Sequence, residues 1–194
     1  MRSLVSLIAV GALASMPAFA QIMKSDQKID NDDAAAMKQL AQANLNEIEA
    51  GKAAAARAQN PQVKQFAQKM VDDHTQMLND LKALAQRKSV SLPDAMSLKD
   101  KAQMELMKRA AGADFDKRYM DAMVKDHQED LKEVQDLAAK AKDPDFRAAV
   151  QRASARINEH LQLAQRIAGT SAAGSTTSSS TSGQQINPGI NYSK

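Results

Sequence analysis

Apolar residues recur along the central part of the chain at steps of three and four, the spacing that places side chains on one stripe of an α-helix. Most of the remaining residues there are good helix formers such as Ala, Lys, Gln and Glu, and strand signals are absent. The pattern predicts four long helices and a shorter third one. They are expected at about 33–58 (α1), 61–87 (α2), 95–110 (α3), 114–140 (α4) and 144–168 (α5).

Proline and glycine mark the ends of these helices. Asn60-Pro61 and Asp143-Pro144 each place an N-cap residue directly before a proline at the first helical position. Gly112 is expected to stop α3. At about 1.5 Å rise per residue, α3 can extend about 20 Å back along α2. The helices α2 and α4 would then begin at the same end of the bundle. The sequence therefore predicts an all-α, ferritin-like four-helix bundle with a long α2–α4 crossover that carries a short extra helix.

The chain has only three histidines, and each lies on the apolar seam of a different helix: His74 on α2, His127 on α4 and His160 on α5. Each is near the middle of its helix, so the bundle should bring all three to one level of its interior. A buried imidazole needs a hydrogen bond or a metal ion, because burying it unpaired is costly. Since neutral imidazole is a common ligand of Zn(II), Fe(II) and Cu(II), the three residues are candidates to hold one transition metal ion.

Four further residues are candidate ligands beside the histidines. Glu47 falls on the inner face of α1 whereas Glu49 points away, so Glu47 is the candidate carboxylate from the remaining long helix. Met70 and Met123 each lie one turn before a histidine. Their thioethers would favour copper, although methionine more often fills gaps in a core. Asp130 is either a further ligand or a residue at the edge of the apolar seam of α4, and the second interpretation is favoured.

Two other interpretations stay open. The histidines could form a hydrogen-bonded polar layer in a structural or interaction protein of the cell envelope. An enzyme that uses the metal for oxidation or hydrolysis is the weakest interpretation, since no nucleophile elbow, phosphate loop or HExxH motif is present. A di-iron site is disfavoured because Val71, Val124 and Ile157 stand three residues before the histidines, where di-iron bundles carry glutamate.

The two ends of the chain differ from the helical domain at 33–168. Residues 1–20 have the charged start, apolar middle and small-x-small site of a secretory signal, and residues 21–32 are a polar lead-in. Residues 169–194 form a Ser/Thr/Gly-rich tail that is expected to be disordered. The chain has no cysteine, which excludes disulfides and thiolate metal sites. We therefore expect an exported protein, periplasmic or secreted, with no transmembrane segment in the mature chain.

Charge and aromatic content argue against a nucleic-acid partner. Basic residues are scattered along the helices, and aromatic residues make up 3% of the chain. Nucleic-acid binding normally uses a basic stripe with aromatic or groove-reading partners. The sequence leaves open that the partner is a protein of the cell envelope.

An internal repeat relates α2 to α4: Met70-Val71-Asp72-Asp73-His74 aligns with Met123-Val124-Lys125-Asp126-His127. Together with the residues before each segment and with Glu47-Ile48-Glu49-Ala50-Gly51-Lys52, it resembles a family of exported bacterial domains of unknown function. Members of that family are often labelled "predicted outer membrane protein" and are considered ferritin-like. The resemblance covers about residues 33–168. It implies a helical, envelope-located domain and no particular biochemical activity.

Overall fold

The computed structural model describes residues 29–107, 109 and 111–177, and the only regular elements in these ranges are α-helices. The predicted signal at 1–20, most of the lead-in and the end of the tail lie outside the described residues. The prediction of an all-α chain is confirmed. The helices are α1 (Asn31–Arg57), α2 (Pro61–Arg87), α3 (Leu98–Met107), α4 (Gly112–Lys140) and α5 (Pro144–Thr177).

Two side-chain caps place helix starts away from their predicted positions. Asp30 accepts a hydrogen bond from the backbone N–H of Asp32 (2.9 Å), so α1 begins at residue 31 instead of 33. The hydroxyl of Ser97 accepts one from the backbone N–H of Asp100 (3.1 Å), so α3 begins at residue 98 instead of 95.

The caps predicted before the two prolines are confirmed. The side chain of Asn60 accepts a hydrogen bond from the backbone N–H of Gln62 (2.8 Å). The side chain of Asp143 accepts hydrogen bonds from the N–H groups of Asp145 and Phe146 (both 2.9 Å). Both helices therefore start at the residue that the sequence predicts.

Three other predicted helix boundaries are wrong. Gly112 does not stop α3, which already ends at residue 107 instead of 110; it is the first residue of α4, which starts there instead of at 114. Its φ of 59° is one that glycine adopts without strain. The last helix continues to Thr177, past the predicted end at 168 and into the predicted tail. Several alanines after Ile167 favour this extension.

The four long helices pack as two helical hairpins. α1 lies along α2 and α4 lies along α5, as the short connections at 58–60 and 141–143 require. The hairpins meet mainly through α2 and α5, with a smaller contact between α1 and α4. The short helix α3 has its main contact with α4. None of the described helices combines the length and the apolar character needed to span a membrane.

Two buried aspartates tie the hairpins together at their ends. Asp116, near the start of α4, accepts hydrogen bonds of 2.7–3.1 Å from the backbone N–H groups of residues 59–60 in the α1–α2 turn. Asp33, near the start of α1, accepts bonds of 2.7–2.9 Å from those of residues 142–143 in the α4–α5 turn. The start of α4 therefore lies at the end of the bundle where α2 begins. The two aspartates, offset by 83 residues, have equivalent roles in the two hairpins.

The core consists of two hydrophobic clusters, one near each turn. The α1–α2 end cluster includes Ala54, Val63, Phe66, Met70, Phe115, Tyr119, Met120, Met123, Ala164 and Ile167. The α4–α5 end cluster includes Met37, Ala41, Ile48, Leu78, Leu81, Leu84, Val134, Phe146, Val150 and Ile157.

Candidate metal centre

The three histidines lie between the two hydrophobic clusters. On α2, for example, Met70 belongs to the α1–α2 end cluster and Leu78 to the α4–α5 end cluster, with His74 between them. The side chain of His74 is 4% exposed, and those of His127 and His160 are fully buried. The helices thus place three imidazoles at one level of an otherwise apolar interior.

The imidazoles converge closely enough to share one ion. One ring nitrogen of each histidine lies within 4.8 Å of one from each of the others. The ring centroids are 5.2 Å apart for His74 and His160, 5.5 Å for His127 and His160, and 6.0 Å for His74 and His127. We refer to His74, His127 and His160 as the triad. The convergence follows from the level that the sequence predicts for these residues.

Asn44 on α1 sets the tautomer of His74. The amide nitrogen of Asn44 donates a hydrogen bond to the backbone carbonyl of Leu40 (2.7 Å), which leaves its oxygen facing the Nδ1 atom of His74 at 3.0 Å. An amide oxygen can only accept, so Nδ1 of His74 carries the proton. The other ring nitrogen, Nε2, therefore holds a lone pair, and it has no hydrogen-bond partner among the described residues.

Asp73 sets the tautomer of His160 in the same way, across two helices. The carboxylate of Asp73 on α2 accepts a hydrogen bond from Nε2 of His160 on α5 (2.7 Å), and Lys69 donates to the same oxygen (2.7 Å). Burial acts to raise the pKa of Asp73, but the hydrogen bonds from His160 and Lys69 outweigh it and lower the pKa. Asp73 is therefore an anion at neutral pH. The lone pair of His160 is left on Nδ1, which is buried and has no partner within the described part of the chain.

His127 is the least constrained member of the triad. Both of its ring nitrogens are buried, and neither makes a hydrogen bond to a described residue. Burial and, to a lesser extent, the nearby His160 lower the pKa of His127 to about 4, while the backbone carbonyl of Met123 acts in the opposite direction. Burial also lowers the pKa values of His74 and His160. All three imidazoles are therefore neutral at pH 7, the form that binds metal ions.

The spacing of the triad suits one metal ion after a small contraction. Imidazole nitrogens bind zinc at about 2.0–2.1 Å, which places two tetrahedral ligands about 3.3 Å apart. The ring nitrogens here are separated by up to 4.8 Å. Small rotations of the imidazoles about their side-chain bonds would close this difference. The donor set, three neutral nitrogens in an apolar surround, fits Zn(II), Cu(II) or Fe(II).

Glu47 is buried and Glu49 is exposed, as the face of α1 predicts. The three-residue group that converges does not include Glu47. Burial and, to a lesser extent, the nearby carboxylates of Asp130 and Asp126 raise the pKa of Glu47 to about 8. One of its carboxylate oxygens is buried without a described hydrogen-bond partner. The candidate fourth ligand is therefore a neutral acid beside the triad, in an acidic neighbourhood.

The other candidate ligands have different surroundings. Met70 and Met123 are buried in the α1–α2 end cluster, where they pack with its aromatic side chains. Asp130 is half-buried and lies outside the triad. Burial raises the pKa of Asp130 to about 6, helped by neighbouring carboxylates such as Asp126 and Glu133.

A cavity of about 820 Å³ reaches the triad level from the α4–α5 end. His74, Asn44 and Glu47 line its polar part. Its apolar part is lined by members of the α4–α5 end cluster: Leu81, Val134, Phe146, Val150 and Ile157. Exposed residues such as Gln39 and Asp80 lie on its outer wall, so the cavity opens to solvent.

The sequence did not indicate the partners of the histidines. Asp73 directly precedes His74 in the sequence, but its histidine partner is His160 on a different helix. Asn44 was not predicted at all. The signal that could have found it is the 83-residue offset between the hairpins, which places Asn44 at the position in α1 that corresponds to His127 in α4.

Comparison with known proteins shows the family of the chain. Residues 18–167 match the family described as "Domain of unknown function (DUF4142)", and the chain belongs to that family. No curated protein and no solved structure gave a significant match.

Proposed function

We propose that this protein binds a single transition metal ion through His74, His127 and His160. The observation that carries the proposal is the convergence of three neutral, buried imidazoles, with one ring nitrogen of each within 4.8 Å of one from each of the others. Asn44 and Asp73 each accept a hydrogen bond from one ring nitrogen, of His74 and His160 respectively, and so leave the other ring nitrogen with a lone pair that can bind an ion. This arrangement is typical of metal-binding histidines. Their second ring N–H donates a hydrogen bond to a carboxylate or carbonyl group.

The unpartnered nitrogens favour this function over a purely structural histidine layer. Four buried ring nitrogens of the triad lack a hydrogen-bond partner among the described residues: His74 Nε2, both nitrogens of His127, and His160 Nδ1. Buried polar atoms are normally hydrogen-bonded, because each one without a partner lowers the stability of the fold by about 1–3 kcal/mol. A bound ion would take one lone pair from each residue. We retain Glu47 as the candidate fourth ligand, since removal of its proton would supply a negative charge beside the ion.

The arrangement of the helices supports two further parts of the proposal. We infer a ferritin-like bundle, because α2 and α4 begin at the same end and the segment between them carries α3. We also propose export to the periplasm or cell surface, on the secretory pattern of residues 1–20. In that compartment the protein would act as a metal-binding module of the cell envelope, in homeostasis or stress, and not as a catalyst.

Metal analysis tests the proposed function. The protein is purified without an affinity tag or chelator, and its Cu, Zn and Fe contents are measured before and after incubation with each ion. We expect up to one ion per chain in the wild type, with a higher melting temperature, and none in a His74→Ala/His127→Ala variant. Equal, near-zero metal in both proteins, without any thermal shift, would contradict the proposal.

A matched control separates loss of ligands from loss of structure. Thr75→Ala/Gln128→Ala changes the exposed residues that directly follow the same two histidines. This variant should keep the wild-type metal content. Circular dichroism checks that all variants are helical. If the alanine variant does not fold, His74→Gln, which retains a polar group near Asn44, takes its place.

A further inference from the structure

Charged side chains are distributed unevenly around the cavity. The charged residues that α1 and α4 contribute to its wall are all acidic: Glu47, Asp130 and Glu133. On the opposite wall, Asp73 and Asp80 of α2 are balanced by Arg152 and Arg156 of α5, and the short helix contributes Lys99 next to Asp100. The α1–α4 side is therefore the part of the cavity with an uncompensated negative field.

Glu47 connects this acidic side to the triad level. It lines the same cavity as His74 and Asn44, it is only 9% exposed, and its buried Oε2 has no described hydrogen-bond partner. After burial, the nearby charges of Asp130 and Asp126 also raise the pKa of Glu47. A cation here would be attracted by the carboxylates of Asp130 and Glu133, and on displacing the proton of Glu47 it would provide the missing partner of Oε2.

We propose that divalent cations reach the triad through the α1–α4 side of the cavity, guided by Glu133, Asp130 and then Glu47. The proposal rests on metal binding by the triad and adds the route by which the ion arrives. A cleft lined by one sign of charge raises the local concentration of the opposite ion and speeds its association, and salt weakens the effect. The charge-balanced α2–α5 side and the short helix do not have this property.

Stopped-flow uptake of Co²⁺ by the full chain tests the route, with the visible absorption of the bound ion as the signal. The test variant is Asp130→Asn/Glu133→Gln. The control variant is Asp80→Asn/Asp100→Asn. It removes the same amount of negative charge from the parts of the cavity that α2 and α3 line. At low ionic strength we expect association to slow by about tenfold in the test variant and by less than about twofold in the control. The difference should shrink at high salt, while the test variant still takes up one ion per chain.

The outcomes separate this inference from the proposed function. If the wild type takes up Co²⁺ through the triad, and the two double variants slow uptake equally or not at all, the route is wrong and the metal site stands. If the wild type takes up no Co²⁺, Zn²⁺, Cu²⁺ or Fe²⁺ under any condition, both proposals fail. A salt-independent difference between the two variants would also contradict electrostatic guidance.

Discussion

In the candidate metal centre, two of the three histidines are each held by one hydrogen-bonded partner. Nδ1 of His74 donates to Asn44, and Nε2 of His160 donates to Asp73. Each bond fixes a tautomer and a ring orientation, and the carboxylate also makes the imidazole a better electron donor. The partner residues therefore decide which nitrogen can bind an ion, although they are not ligands themselves.

Removal of the charge on Asp73 should weaken metal binding without removing a ligand. We expect Asp73→Asn to lower the affinity for Zn²⁺ by about 10–100-fold, because the asparagine holds His160 less firmly and does not polarise it. A competition titration against a chromophoric chelator measures this affinity. Asp72→Asn, at the exposed neighbouring position, is the matched control and should bind like the wild type. Equal affinities for both variants would show that Asp73 does not support the site.

The sequence predicted which residues face the centre of the bundle, but not which hydrogen bonds the histidines make. The three histidines and the inward direction of Glu47 follow from helical spacing, which is a local property. The bonds of Asn44 and Asp73 cross between helices, and they depend on the rotation of each helix about its axis. An error of a few tens of degrees in that rotation replaces one partner by another.

At the level of the helices, Gly51 of α1 packs closely against α2. A Cβ atom at Gly51 would lie 2.9 Å from the backbone oxygen of Ala67 and 2.9 Å from Cγ2 of Val71. The backbone oxygen cannot move away without shifting α2. This contact sets the separation of the helices that carry Glu47 and His74.

The substitution Gly51→Ala should therefore destabilise the protein, by about 1–3 kcal/mol, although alanine is the better helix former. The control is Gly169→Ala on α5, where the added Cβ meets nothing within 4 Å. That change should be neutral or stabilise the fold by up to about 1 kcal/mol. Urea denaturation of both variants measures the two effects. A stabilised Gly51→Ala variant would mean that the two helices are farther apart than described.

Helix type and the starts of α2 and α5 could be predicted, because capping and periodicity act within a few residues. The asparagine and aspartate caps before the two prolines show this. The ends of α3 and α5 were predicted less well. They depend on a serine cap at Ser97 and on an alanine-rich continuation after Ile167, which are weaker signals than a proline.

For the whole molecule, the buried titratable groups predict how stability depends on pH. The folded pKa values of the three histidines are lowered, so below about pH 6.5 the unfolded chain binds more protons and stability falls with decreasing pH. The folded pKa of Glu47 is raised from 4.5 to about 8. The folded chain therefore holds a proton that the unfolded chain releases, and this contribution to stability is lost as pH rises through about 8.

We expect the metal-free protein to be most stable at about pH 6.5–7 and to lose stability on both sides. Guanidinium denaturation at intervals between pH 5 and pH 8.5 measures this profile. In Glu47→Gln the decline on the alkaline side should disappear while the acid side is retained. A flat profile between pH 7 and pH 5 would show that the histidines are not buried in the neutral form.

X-ray absorption spectroscopy of the untagged, zinc-loaded protein tests the central claim most directly, because it counts the imidazoles bound to the ion. The chain has only three histidines, so all imidazole scattering must come from the triad. We predict one bound ion with three imidazole nitrogens at about 2.0 Å and one or two light ligands. A bound ion surrounded by oxygen alone, or by a single imidazole, would contradict the account.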